Sequence, residues 1–168
     1  MKYLYFLVAV LVFAQCEPSK EETLPPITTT GQNTMGCLVN GEVFVANHHG
    51  PFDVAIIAEY IEHSPYLIGE SVHISGSGLD EIIGLQFIGE GLEINTAYVL
   101  NDTMFNYGNY YSRVTQQSYT TNILYVGELT LLRLDTINRI ISGIYWFNAI
   151  NSAGEVAEIR DGRFDAIY

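Results

Sequence analysis

The chain has 168 residues, of which 48% are hydrophobic and 15% are charged, a composition typical of a protein with a buried core. Acidic residues outnumber basic ones by 19 to 7, so the formal net charge is −12. A surface of this charge repels nucleic-acid phosphates and anionic lipid headgroups, and we expect no nucleic acid as a partner. After an N-terminal leader and a linker, roughly 130 residues remain, which is the size of one domain.

The N-terminus has the pattern of a lipoprotein signal. A charged start is followed by an apolar run over residues 3–14, too short for an ordinary membrane-spanning helix but typical of a secretory signal. Cys16 follows this run and resembles the acylated cysteine of the bacterial lipobox, although Gln15 replaces the small residue usual before it. We predict a signal peptide at residues 1–15 and lipidation of Cys16; the alternatives are ordinary cleavage after Ala14 and a chance cysteine after an uncleaved anchor.

Residues 16–34 have the composition of a flexible linker, with several prolines and threonines and no aromatic residue. Within them, Ser19-Lys20-Glu21-Glu22 resembles the acidic export signal of some Bacteroidota lipoproteins, and a solvated acidic linker is the alternative. We expect the lipid to anchor the protein at the outer membrane, on the cell surface if the export signal is read. A periplasmic or secreted location is the alternative.

From residue 35 onward, apolar runs alternate with Gly, Asn, Asp and Pro, as in all-β proteins. Asn40-Gly41 between two such runs predicts a tight hairpin. Residues 53–63 fit a strand but also helical spacing. Short connections leave no space for parallel crossovers, so we predict a single antiparallel β-sandwich or flattened barrel over residues 35–168. Its further predicted strands are residues 54–60, 67–75, 82–88, 92–100, 110–119, 123–134, 139–149, 156–159 and 163–168.

Two segments resemble a family of uncharacterised Bacteroidota lipoproteins. The first is Leu24-Pro-Pro-Ile-Thr-Thr-Thr-Gly-Gln-Asn-Thr-Met-Gly-Cys-Leu-Val-Asn-Gly41. The second runs from Gly127-Glu-Leu-Thr through Ile140-Ile-Ser-Gly to Asp161-Gly-Arg-Phe-Asp-Ala-Ile-Tyr168. The resemblance implies a β-rich secreted domain and brings no activity, cofactor or catalytic residue.

Residues 104–119 mix aromatic side chains with amides and hydroxyls. Glycan-binding surfaces use this combination, because sugar rings stack on aromatic faces while polar groups bond to hydroxyls. The alternative is a hairpin held together by cross-strand tyrosine pairs. The residues predicted to contact a glycan are Tyr107, Tyr110, Tyr111, Tyr119 and, outside this segment, Trp146.

The C-terminal strands predict a second surface. Strict alternation over residues 141–149 places Ile144 and Trp146 on one face and Phe147 on the other. If the final strand is a neighbour, Ile167 joins Ile144 and Trp146 in an apolar outer patch that suits a partner. The alternative is that the chain itself covers this face.

Catalytic and metal-binding patterns are weak. Cys37 has no partner for an intrachain disulfide once Cys16 carries lipid, and we predict a buried core thiol. His48 and His49, with Asp53 close behind, match no metal-ligand spacing. No motif pairs any two acidic residues as a glycosidase would need. We therefore predict no catalytic residue, no metal and no cofactor.

Two threonines, Thr103 and Thr136, follow an aspartate and precede an apolar residue, which resembles the O-glycosylation sequon of exported Bacteroidota proteins. Taken together, the patterns favour an envelope-anchored lipoprotein with a non-catalytic binding or accessory β domain. Its expected partners are the membrane, through the lipid anchor, and a glycan or another envelope protein. A glycan-binding surface lipoprotein and a hydrolase with an unrecognised site are the alternatives.

Overall fold

A computed structural model of the chain describes residues 23–47, 54–62 and 69–168. Within these ranges the chain forms strands and turns and no helix, which confirms the all-β prediction. The strands are β1 (Thr34–Val39), β2 (Glu42–Val45), β3 (Ile56–Ile61), β4 (Glu70–Ser77), β5 (Glu81–Gly89), β6 (Ala97–Leu100), β7 (Tyr107–Ser112), β8 (Gln117–Thr120), β9 (Gly127–Asp135), β10 (Ile140–Ile150) and β11 (Val156–Ile167).

The described strands join into one antiparallel sheet that curls on itself, as expected of a sandwich or flattened barrel. The main path runs in the order β2-β1-β11-β10-β8-β7-β5-β4-β3; β9 branches from β10, and β6 pairs with β9. The long β10 pairs with β9 over most of its length and with β8 only at Ile150. Where the curled sheet meets itself, the rings of Tyr60 and Tyr168 contact edge to face, with centroids 5.5 Å apart.

The inner face of the curled sheet carries the core. Its largest fully buried side chain is Phe147 on β10, which packs where β7 has Gly108. A Cβ at Gly108 would lie 2.6 Å from this ring, so only glycine fits at that position. Burying one such large apolar side chain stabilises the fold by about 1.5–3 kcal/mol. The outer face of the same strands is the one on which the candidate site lies.

Local sequence signals predicted several strands, missed one turn and predicted one break that does not exist. The hairpin at Asn40-Gly41 is confirmed, since both residues have positive φ and join β1 to β2. Residues 56–61 form a strand and not a helix. The single strand predicted over residues 110–119 was wrong, because the chain reverses after Ser112 and forms the β7–β8 hairpin.

The two C-terminal strands predicted at residues 156–159 and 163–168 are one strand, β11. Asp161 lies between them with a φ of 51°, and the pairing with β10 shifts register there. A bulge of this kind inserts a residue and bends the strand without ending it. The bulge lies in the part of β11 that lines the candidate site described below.

Residues 23–33, called the strap below, lie against the outer face of the sheet. A guanidinium N–H of Arg133 on β9 donates to the carbonyl of Thr29 at 2.6 Å, and Arg163 on β11 donates to the carbonyl of Pro25 at 3.4 Å. The sequence pattern placed the strap in the flexible linker, but its backbone is hydrogen-bonded to the domain. Residues 16–22, with the predicted lipidation site Cys16, lie outside the described residues.

Candidate functional site

A groove of about 510 Å³ lies on the outer face of β9, β10 and β11. Its volume is within the range of small-ligand sites, roughly 300–1,000 Å³. Three neighbouring strands build it. The floor is Ile144 and Trp146 of β10, one wall is Glu128 and Thr130 of β9, and the other wall is Arg160 and Arg163 of β11.

The floor is exposed because of strict alternation along β10. Phe147 is fully buried on the inner face, whereas its neighbour Trp146 keeps 37% of its surface exposed and Ile144 keeps 36%. Antiparallel pairing places Glu128 directly opposite Trp146, and Thr130 opposite Ile144. The chain has one tryptophan, and it stands in this groove.

Arg160 forms the part of the β11 wall that covers Trp146. Its guanidinium lies 5.6 Å from the centre of the indole ring, within range of a cation–π interaction. It donates hydrogen bonds to the carbonyls of Phe147 and Ile159, at 3.1 and 2.8 Å, and to the amide oxygen of Asn148 at 2.6 Å. These neutral acceptors hold the guanidinium in place without cancelling its charge.

Arg163 is held in a similar way. Its Nε and Nη2 atoms donate to the carbonyl of Asp161, at 3.0 and 2.8 Å, and Nη1 donates to the strap at Pro25. The backbone of the bulge at Asp161 therefore orients the Arg163 side chain. Between the two arginines, Gly162 lies against the ring of buried Tyr145, where a Cβ would clash with the ring carbons.

The strap closes one end of the groove, where Ile27 joins the lining. It is fastened by the carboxylate of Asp165 on β11, a residue only 1% exposed. Burial alone would raise the pKa of Asp165, but hydrogen bonds from the strap outweigh it and lower that pKa. The donors are the Thr28 hydroxyl and the backbone N–H groups of Thr30, Gly31 and Gln32.

The outer patch predicted from Ile144, Trp146 and Ile167 is divided by this strap. Ile144 and Trp146 face outward on the groove floor, and Ile167 is 54% exposed near the end of β11. Gly31 packs against Ile167, and outward-facing Ser142, which pairs with Asp165, is fully buried. The alternative that the chain covers its own outer face is therefore correct for one end of β10 and wrong for the other.

The five aromatic residues predicted to contact a glycan do not form one site. Tyr110 and Tyr119 pair across the β7–β8 hairpin on the inner side, with ring centroids 5.3 Å apart. Tyr107 and Tyr111 alternate with Tyr110 and face outward, and the Tyr107 hydroxyl donates to Gln86. Trp146 stands on β10. The cross-strand alternative thus describes one tyrosine pair, and only the other three aromatic residues are on the outer face.

Other predicted positions have varied surroundings. Cys37 is fully buried, which confirms the predicted core thiol, and burial raises the pKa of that thiol to about 12. Thr103 and Thr136 are both exposed, and each follows an aspartate that accepts backbone hydrogen bonds in a turn. The predicted polar loop with His48, His49 and Asp53 lies outside the described residues.

Among the residues that the structure describes, no three His, Cys, Asp or Glu side chains gather where they would hold a metal ion. No helix in the same ranges is long and apolar enough to cross a membrane. Comparison of the chain with protein-family models, curated proteins and solved structures finds no match.

Sequence reasoning found Trp146 but missed the residues around it. Arg160 and Arg163 carried no motif, and their shared orientation depends on the bulge between them. Glu128 is one of 19 acidic residues, and only its pairing with Trp146 distinguishes it. The sequence pattern places Asp165 in an ordinary final strand, although its carboxylate is the acceptor that fastens the strap.

Proposed function

We propose that this protein is a membrane-anchored, non-catalytic binding module, lipidated at Cys16, that takes its ligand in the groove around Trp146. The observation that carries the proposal is the position of the single tryptophan. It stands half-exposed on the floor of a groove of ligand-binding size, between side chains that donate and side chains that accept hydrogen bonds. Exposed aromatic residues in such settings mark interaction sites.

A glycan is the ligand class that this groove fits best. The part of the Trp146 indole that Arg160 leaves exposed offers an apolar contact for a sugar ring, and the side chains of Glu128 and Thr130 offer acceptors for sugar hydroxyls. Tyr107 and Tyr111 on the outer face of β7 are a second aromatic surface of the kind that a longer glycan would contact. The hydrolase alternative would have to use Glu128 and Asp161, the two acidic residues that line the groove.

The binding proposal is tested with a glycan array probed with the full-length protein in detergent, followed by calorimetry on each ligand found. We expect Trp146→Ala to abolish binding, because the stacking surface is lost. Tyr111→Ala tests the second aromatic surface, on β7, and should leave the binding of a short glycan in the Trp146 groove unchanged. If Trp146→Ala binds as well as the wild type and Tyr111→Ala loses binding, the site lies on β7 and not in the groove.

The same incubations separate a binding module from a hydrolase. Mass spectrometry of the ligand after prolonged incubation should return it intact. Cleavage products that disappear in Glu128→Gln would show that the groove is catalytic and that the binding proposal is wrong.

The anchor is tested independently of the ligand. Cys16→Ser should move the protein from the membrane fraction to the soluble fraction, because the thiol that carries the lipid is removed. A variant that stays in the membrane and keeps the mass of the attached lipid would refute lipidation at this residue.

A further inference from the structure

We infer that the groove selects an acidic saccharide, one whose ring carboxylate binds between Arg160 and Arg163. This inference rests on the proposed function and names the ligand class of the same groove. It comes from the distribution of charge and hydrogen-bonding groups across the three strands, which differs between the two walls.

The β11 wall carries two arginines, Arg160 and Arg163, and one acidic residue, Asp161, so its formal charge is positive. Ion pairs among the described residues join Arg133 to Asp135 and, at 3.7 Å, Arg160 to the exposed carboxylate of Glu158. Arg163 has no described carboxylate within ion-pairing distance, and its bonds go to backbone carbonyls. A guanidinium carries five N–H donors, so each arginine retains donors for a ligand.

These two guanidinium groups are also held in position before a ligand arrives. Arg160 is fixed by three neutral acceptors and by the indole of Trp146, and Arg163 is fixed by the bulge and the strap. Positioned donors lose little conformational entropy on binding, which raises affinity. Two positioned guanidinium groups suit a carboxylate, which accepts charge-assisted hydrogen bonds from both.

The opposite wall has the complementary chemistry. Glu128 is an acceptor when ionised, and the Thr130 hydroxyl both donates and accepts, so this wall suits sugar hydroxyls. Adjacent strands in a sheet lie about 4.8 Å apart, so the β9 and β11 walls are separated by roughly 10 Å. One pyranose ring with its substituents spans that distance. A ligand that is acidic at one side and rich in hydroxyls at the other therefore matches both walls.

A peptide with a carboxylate fits this surface less well. β10 is paired with β9 on one side and β11 on the other, and β11 is paired with β1 on its far side. The groove therefore offers no open strand edge for an extended peptide, and side chains alone must recognise the ligand. A net charge of −12 repels anions at long range, but at physiological salt charges beyond about 8 Å are largely screened.

The experiment measures binding of uronate oligosaccharides to the full-length protein in detergent, with the fluorescence of Trp146 as the readout. The probes are oligosaccharides of galacturonate, of mannuronate and guluronate, and of glucuronate with N-acetylglucosamine. Each is compared with its carboxyl-reduced counterpart, which keeps the ring and linkage but loses the charge. We expect at least one acidic probe to bind, and its reduced form to bind at least about tenfold more weakly.

Two variants and a matched control locate the effect. Arg160→Gln and Arg163→Gln should each weaken the acidic probe by about tenfold or more, because a charge-assisted bond is lost. Arg139→Gln removes the same charge outside the groove, where Arg139 lies against Tyr168, and should leave affinity within about twofold. Rising salt should weaken the acidic probe and leave any neutral probe unchanged.

Equal binding of an acidic probe and its reduced form would overturn the inference while leaving the binding groove intact. Binding of neutral glycans alone, lost in Trp146→Ala, would overturn it in the same way. No binding of any acidic or neutral glycan would remove both the inference and the glycan candidate. The comparison of the two ligand forms uses wild-type protein, so it holds even if an arginine variant folds poorly.

Discussion

The carboxylate of Asp165 accepts four of the hydrogen bonds that hold the strap, and Asp165→Asn tests how much they contribute. The Oδ2 atom of Asp165 accepts hydrogen bonds from the Thr28 hydroxyl at 2.7 Å, the Thr30 N–H at 3.0 Å and the Gln32 N–H at 3.1 Å. The Oδ1 atom accepts the Gly31 N–H at 2.8 Å. Asparagine has nearly the same shape but only one acceptor oxygen, so the substitution changes chemistry without creating a cavity.

The expected loss follows from these contacts. If the amide oxygen of asparagine takes the place of Oδ2, its NH₂ group faces the Gly31 N–H, and that donor is left without an acceptor. An unsatisfied buried donor costs about 1–3 kcal/mol. The three remaining hydrogen bonds become neutral, and charge-assisted bonds are roughly twice as strong as neutral ones. Neutralising a buried carboxylate recovers part of this by removing its desolvation cost, so we expect a net loss of about 3 kcal/mol in strap docking.

Hydrogen exchange read by mass spectrometry measures this loss directly on the strap. A change of about 3 kcal/mol speeds exchange of the strap amides by about 100-fold if the strap opens locally. The core strand β10 should keep its protection. Asp161→Asn is the control, because it makes the same substitution on β11 at an exposed residue. Unchanged strap exchange in Asp165→Asn would refute the assignment of Asp165 as the fastening residue.

The lowered pKa of Asp165 also predicts that docking of the strap depends on pH. Its folded pKa lies below the unfolded value of about 3.9, because hydrogen bonds to the ionised form outweigh the effect of burial. A depressed folded pKa stabilises docking fully above the unfolded pKa, and this stabilisation is lost as the pH falls through the folded pKa. Strap protection in the wild type should therefore fall below about pH 4, and Asp165→Asn should lack this step.

Three further predictions follow from burial and exposure. Phe147→Ala should lower the free energy of unfolding in urea by about 3–5 kcal/mol, because Phe147 is fully buried. Trp146→Ala should lower it by less than half of that amount, because Trp146 is partly exposed. Equal losses would contradict the assignment of the two residues to opposite faces. Burial raises the pKa of the Cys37 thiol to about 12, so the thiol should resist maleimide at pH 8 in the native protein. It should react once urea unfolds the protein. Rapid labelling of the native protein would contradict the burial of Cys37. Intact mass of protein from its native host should exceed polypeptide plus lipid by a glycan at Thr103 and at Thr136, and a mass without this excess would remove the prediction.

Local patterns in the sequence determined the fold class and several of its elements. Asn40-Gly41 formed the predicted hairpin because these residues accept positive φ at little cost, and that preference needs no tertiary partner. The faces of Trp146 and Phe147 followed from the two-residue period of a strand. Each of these features depends on residues within a few positions of one another, which is why the sequence alone predicted them.

Tertiary structure alone decided where the linker ends and what surrounds Trp146. The strap is composed like a flexible linker, yet Thr28 reaches a carboxylate 137 residues further along the chain. Likewise, Glu128 and Arg160 meet at one groove only because β9 and β11 pair with opposite sides of β10. Such contacts are set by strand order and register, which are collective properties of the whole sheet, and no local pattern encodes which distant side chains they bring together.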